Sequence, residues 1–147
     1  MKIERIFDVK KCLDILTDDY MFESISEDGA TFEDLKVDVI GNYWLGIYQG
    51  ADLIGVLLLR PIYSECFDIH IHILKEYRKH GKRAGVAIIN WCKENIPNKT
   101  LHTNIPVFCK NVRYFVVSLG FKEAGVIPKV WKKHGKMNDM SIFTRTV

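Results

Sequence analysis

Hydrophobic and polar positions alternate without a break from Phe67 to Ile73. Phe67, Ile69, Ile71 and Ile73 fall on one face, Asp68, His70 and His72 on the other, which is the period of a β-strand. From Arg83 the spacing lengthens. Val86 and Ile89, then Ile88 and Cys92, recur three and four residues apart, as on one face of an amphipathic helix. Between the two patterns lie Lys75, Arg78, Lys79, Lys82 and Arg83, with Gly81 placed where a turn needs backbone freedom. The spacing therefore predicts a strand that runs through a cationic turn into a helix reaching about Asn95. The free N–H groups of a helix start and adjacent cations both attract an anion; the plain alternative is a solvated basic turn.

The same reading extends along the chain. Met1 to Phe7 alternates as a first strand, and Asp8 caps a helix through Leu16, followed by an irregular acidic stretch from Thr17 to Gly29. Thr31 and Asp34 approximate a capping box for a second helix, which Gly41 and Asn42 end. Tyr43 to Tyr48 and Leu53 to Leu59 form a hairpin around the turn Gln49 to Asp52, and Pro61 limits the second strand's pairing. After the strand and helix at Phe67 to Asn95, Ile96 to Lys99 forms a break and Thr100 to Ile105 a strand. This strand, crossover helix, strand unit implies two parallel neighbours in an otherwise antiparallel sheet. Asn111 caps a last helix, Gly120 stops it, and two strands flank His134-Gly135. The expected fold class is α/β, more strictly α+β: one domain over residues 1–147, with a mixed sheet of about seven strands and four helices.

Three short motifs carry a resemblance. The run Ile73 to Ala84, ILKEYRKHGKRA, resembles the RxxGxG/A loop of the GNAT acyltransferases, with Arg78 and Gly81 in register, Lys75 at the common proline and Arg83 at the last glycine. Asn111 opens a segment closed by Leu119-Gly120-Phe121, similar to that family's second conserved region. Lys133 to Lys136, with Asp139 beyond, resembles the C-terminal hairpin of the RimJ and RimL branch and of acetyltransferase-like proteins of phages. The resemblance covers roughly residues 60 to 145. It implies a GNAT fold and acetyl-coenzyme A as cosubstrate. The pantetheine arm would then lie along the backbone of Ile71, Ile73 and Leu74, and the phosphates near Arg78, His80, Gly81, Lys82, Arg83 and Ala84, with Asn111 as a helix cap and possible cofactor contact.

Bulk properties narrow the classes. A chain of 147 residues that is 48% hydrophobic can bury a real core. No run reaches the ~20 apolar residues of a membrane span, and MKIERIFD lacks the apolar centre of a signal peptide, so a cytoplasmic protein without membrane contact is expected. The four cysteines, at 12, 66, 92 and 109, include no CxxC pair and read as reduced core residues. The net charge of +3 is modest, and acidic residues between Glu23 and Asp38 offset the basic turns, so nucleic acid is not expected as a partner.

Acyl transfer to an amine needs a base, because a lysine amine has an unperturbed pKa of ~10.4. His70, flanked on its face by Asp68 and His72, is the catalytic candidate; a polar surface or a packed histidine is the bland reading of the same residues. No metal site is expected, since His70 and His72 have no further ligands at a telling spacing. The family's usual tyrosine, four residues before the glycine of "GF", is here Val116. Tyr114 and Ser118 sit two positions away, about 200° around a helix, and face elsewhere. The resemblance admits two functions: an N-acetyltransferase acting on an amine of a small molecule or protein, as monomer or homodimer, or a degenerate GNAT-fold protein used for binding or phage particle assembly. The acceptor side would be formed by roughly residues 18–39 and 129–139.

Overall fold

A computed structural model describes Met1–Val147. Seven strands form one sheet: β1 (Lys2–Arg5), β2 (Tyr43–Gln49), β3 (Asp52–Tyr63), β4 (Cys66–Ile73), β5 (Thr100–Pro106), β6 (Lys122–Lys133) and β7 (Lys136–Thr146), in the order β1-β2-β3-β4-β5-β7-β6. Every neighbouring pair is antiparallel except β4 and β5. The crossover between these two parallel strands is helix α3 (Gly81–Asn95), as the change of period after Ile73 predicts.

Three other helices complete the fold: α1 (Val9–Leu16), α2 (Asp19–Ile25) and α4 (Lys110–Ser118). The Asp8 carboxylate accepts from the amides of Lys10 and Lys11 at 2.9 and 3.4 Å, which is the expected cap of α1. The second helix lies elsewhere than the capping-box reading puts it. Asp18 caps α2 within the stretch expected to be irregular, accepting from the Met21 amide at 2.9 Å. The Thr31–Asp34 box exists, with the Asp34 carboxylate 2.8 Å from the Thr31 amide, but it closes only one 3-10 turn, Phe32–Asp34. Beyond it Leu35, Val37 and Val39 alternate inward as extended chain against the core, so burial overrides the local helix signal. Strand β3 also runs past Pro61 to Tyr63, accommodating the proline with a register shift.

The sheet has two buried faces. On one, α3 and α4 bring Ala84, Ile88, Ile89, Cys92, Val116 and Leu119 onto Leu57, Leu59, Phe67, Ile69 and Ile73. On the other, Cys12, Ile15 and Leu16 of α1 and Met21 of α2 pack on Trp44 and Val56. Each such aliphatic side chain contributes on the order of 1.5–3 kcal/mol when fully buried. All four cysteines are free thiols. No helix is long and apolar enough to cross a membrane.

Candidate active site

The parallel pair is short. β4 and β5 are joined only at Cys66, Phe67 and Asp68, opposite Thr100, Leu101 and His102. Past Asp68 the strands part, although β4 stays paired to β3 up to Gly55↔Ile73 and β5 to β7 up to Pro106↔Met140. A wedge opens toward the C-terminal ends of both strands, the end where parallel sheets bind ligands. Peptide groups alternate sides along a strand, and two contacts fix the phase here. The Leu74 amide donates to the Ile54 carbonyl on β3 at 3.0 Å, while the Glu65 carbonyl accepts from Thr100 on the β5 side at 2.8 Å. The peptide groups of Ile71 and Ile73 therefore turn away from β3 and into the wedge. Leu74, expected with them, is corrected: its amide is already taken. Gly55 braces this edge from behind, since a Cβ there would stand 2.3 Å from the His72 carbonyl oxygen.

At the open end of the wedge, β4 passes through a 3-10 turn, Lys75–His80, into α3. The helix begins at Gly81 rather than Arg83. Gly81 itself has φ −52° and ψ −44°, ordinary helical values that any residue adopts, so the expected demand for backbone freedom is not what places a glycine there. Its absent side chain leaves room instead: a Cβ would meet nothing nearer than a Phe115 ring carbon at 4.0 Å. His80 occupies the N-cap position without a side-chain capping bond, and the Gly81 amide is used by the Arg78 carbonyl. The next amides, those of Lys82 and Arg83, have no i−4 partner within the helix, whereas the Ala84 amide closes the first turn on the carbonyl of the N-cap His80. Ala84, expected at the phosphates, is corrected: fully buried, it offers neither a free amide nor an accessible side chain. Lys82 and Arg83 are exposed and line a shallow depression of about 350 Å³ with Met1, Val86, Ala87 and Asn90. Arg78 is held toward α2, its guanidinium 4.8 Å from the Tyr20 ring centre and donating to the Tyr20 hydroxyl at 3.2 Å; Lys75 lies over the same ring at 4.6 Å.

The supposed polar face of β4, on the α1–α2 side of the sheet, is a cluster of partly exposed side chains around one buried carboxylate. Asp68 is only 3% exposed. Its Oδ2 accepts from Arg60 at 2.6 Å and from His70 Nε2 at 2.8 Å, and its Oδ1 lies 3.2 Å from His102 Nδ1. Burial opposes the charge, yet the bonds from His70, His102 and Arg60 win and hold the carboxyl down at about 2. Next to it, the rings of His70 and His72 lie parallel, 6.4 Å apart. Burial, helped by His70, pushes His72 down to about 3, so it is neutral at physiological pH. Of the three residues expected on this face, only His70 combines a bonded ring nitrogen with a free one, for Nδ1 makes no hydrogen bond within the protein. Arg60 and His102 were not legible beforehand, because strand register decides their company.

Helix α4 starts after β5 at the same end. Its N-cap is Cys109, correcting the expected Asn111, which lies exposed in the first turn and makes no capping bond. Val116 is buried in the core. Tyr114 is 81% exposed, and the Ser118 hydroxyl donates to the Phe115 carbonyl at 2.6 Å, so neither turns to the Val116 face. Opposite, the β6–β7 hairpin is clasped to the segment after α2: Lys133 Nζ donates to the carbonyls of Glu23 and Ser26 at 2.6 and 2.7 Å, and the Asp28 carboxylate accepts from His134 and Gly135. Between them lies a cavity of about 460 Å³, lined in part by Phe22, Ile25, Leu35 and Trp131.

No protein-family model and no curated protein matches the sequence. Solved structures do match the fold over its whole length. Spermidine N-acetyltransferase of Vibrio cholerae, in complex with CoA and spermine, superposes with a TM-score of 0.81 at 12% identity over 98% of this chain and 94% of its own. The ribosomal-protein-alanine N-acetyltransferase of Brucella melitensis gives 0.75 at 16% identity over 100% of both chains. YncA of Salmonella typhimurium, solved with its cofactor acetyl-CoA, gives 0.74 at 15% over 99% and 93%. This chain's single seven-stranded sheet, with β4 and β5 its only parallel pair, superposes on these structures along its whole length, and its fold is that of the GNAT N-acetyltransferases.

Proposed function

We propose that the chain is a cytoplasmic acetyl-coenzyme A-dependent N-acetyltransferase that acetylates an amine of a small molecule or protein, working as a monomer or homodimer. One observation carries the reading: the unpaired peptide groups of Ile71 and Ile73 line a wedge that opens on the uncapped start of α3. An extended amide-bearing arm can pair with that strand edge, and a diphosphate can take the amides of Lys82 and Arg83. Gly81 admits the close approach, and Lys82, Arg83, His80 and Arg78 supply cations or donors beside it. The bound cosubstrate would supply an activated acyl carbon and a thiolate leaving group. His70 is the base of this reading, taking a proton from the acceptor's ammonium at Nδ1. Val116 leaves the protein with no acid for the thiolate, so solvent protonates it.

The test is binding and then turnover. Isothermal titration with coenzyme A gives a saturable isotherm that weakens at least tenfold in a Lys82→Ala/Arg83→Ala double variant. No heat at millimolar ligand overturns the assignment. Thiol release with a panel of amines then gives turnover that falls 10²- to 10⁴-fold in His70→Gln, the usual worth of a general base. The buried Val116 favours a second reading, a GNAT-fold protein that binds without turnover, in phage particle assembly or elsewhere. Coenzyme A binding with no thiol release from any amine would select it.

A further inference from the structure

Asp68 stands at the last rung joining β4 to β5, where the wedge begins, and it gathers one side chain from each of three strands: Arg60 from β3, His70 from β4 and His102 from β5. An ionised carboxylate only accepts hydrogen bonds. The ring nitrogens that meet it must therefore carry hydrogen, namely Nε2 of His70 and Nδ1 of His102. We infer that Asp68 is the positioning residue of the proton-accepting system, with His102 and Arg60 as its supports. It fixes His70 as the Nε2–H tautomer, so that the lone pair is left on Nδ1. This rests on the reading of His70 as the base.

The proton accounting is complete within the protein. The acceptor's R–NH3⁺ gives one proton to His70 Nδ1 and becomes R–NH2; the N–H bond of the ammonium breaks and one forms on the ring. The resulting imidazolium keeps its other hydrogen on Nε2, bonded to Asp68, and the carboxylate stays ionised beside it. The charged or titratable side chains around His70 are Asp68 and His72 of its own strand, Arg60 and His102. His72 and His102 differ in their contact with Asp68: His72 makes none. That gives His102 a distinct signature. Free imidazole favours Nε2–H, whereas the carboxylate holds His102 as Nδ1–H.

Ring ¹⁵N spectroscopy of the full chain, at a pH where the rings are neutral, reads both tautomers directly. The expected result is Nε2–H for His70 and Nδ1–H for His102, with Asp68→Asn letting both rings average between tautomers. In turnover, Asp68→Asn lowers kcat by 10²-fold or more while the coenzyme A Kd and the acceptor KM stay within about twofold. His102→Gln, which keeps a donor near Oδ1, loses less than tenfold. His102 found as Nε2–H, or His70 unmoved in tautomer by Asp68→Asn, overturns the inference. So does a kcat unchanged in a folded Asp68→Asn. If the wild-type chain binds coenzyme A but turns over nothing, the enzyme reading fails on that result alone, and the tautomers still decide whether Asp68 positions the rings. Should Asp68→Asn not fold, the wild-type rings decide: His70 found as Nδ1–H, or His102 as Nε2–H, overturns the inference.

Discussion

Val116 lies among the apolar residues that α3 and α4 bury against the sheet. A tyrosine there adds volume to a close-packed layer and sets a hydroxyl among apolar side chains, so Val116→Tyr should cost about 1–3 kcal/mol in urea unfolding and give no gain in turnover. A more active variant would show that the layer yields and that the hydroxyl reaches the wedge. This much could be anticipated from spacing, because residues on one helix share faces by rotation alone. The placement of Ile71 and Ile73 on strand β4 was equally visible, since alternation needs only local sequence. Asp68's partners were not. His102 is 34 residues away and reaches Asp68 only through a parallel register that no local pattern states. The same limit hid Tyr20, whose ring holds Lys75 and Arg78 from a different helix.

Among the elements, the β6–β7 hairpin depends on a clasp. Lys133 is nearly buried, with a side chain 10% exposed, and its ammonium satisfies two carbonyls and the Glu23 carboxylate at 3.1 Å. Lys133→Met keeps the aliphatic stem and strands the carbonyls of Glu23 and Ser26. Loss of about 1–3 kcal/mol of stability is expected, with faster proteolysis between Ile25 and Thr31. Unchanged cleavage there would mean that Glu27 and Asp28 hold the segment without it, through their bonds to Lys132, His134 and Gly135. Strands and α3 were legible because their patterns are long. Helix α2 was not, for at seven residues it shows too few turns to establish a period and is held mainly by Met21 in the core. The capping box misled for a related reason. It specifies a first turn only, and the alternating burial of Leu35, Val37 and Val39 keeps the chain beyond that turn extended.

For the whole molecule, two depressed pKa values set the acid limit of stability. His72 is neutral in the fold down to about 3, against an ordinary 6.5, so the unfolded chain binds the extra proton between these values and stability falls as pH drops through that window. Asp68, at about 2 against an ordinary 3.8, adds a second loss below 3.8 that is complete only below 2. Thermal unfolding should therefore show a midpoint that declines from about pH 6.5 downward. His72→Gln removes most of the slope above about pH 4 and leaves the steeper part below it. A slope unchanged in His72→Gln would place the acid sensitivity elsewhere. The three rungs at Cys66, Phe67 and Asp68 have one more consequence, for the order of assembly. They are the only strand pairing that joins the sheet of residues 2–73, built from strands that succeed one another in the chain, to the sheet of residues 100–146. Sequence-near pairings close cheaply and early, whereas a parallel seam must wait for α3 to complete its crossover. Each half can thus zip up on its own timetable, and the seam is expected to close last, its amides gaining protection from hydrogen exchange after those of β2 and β3.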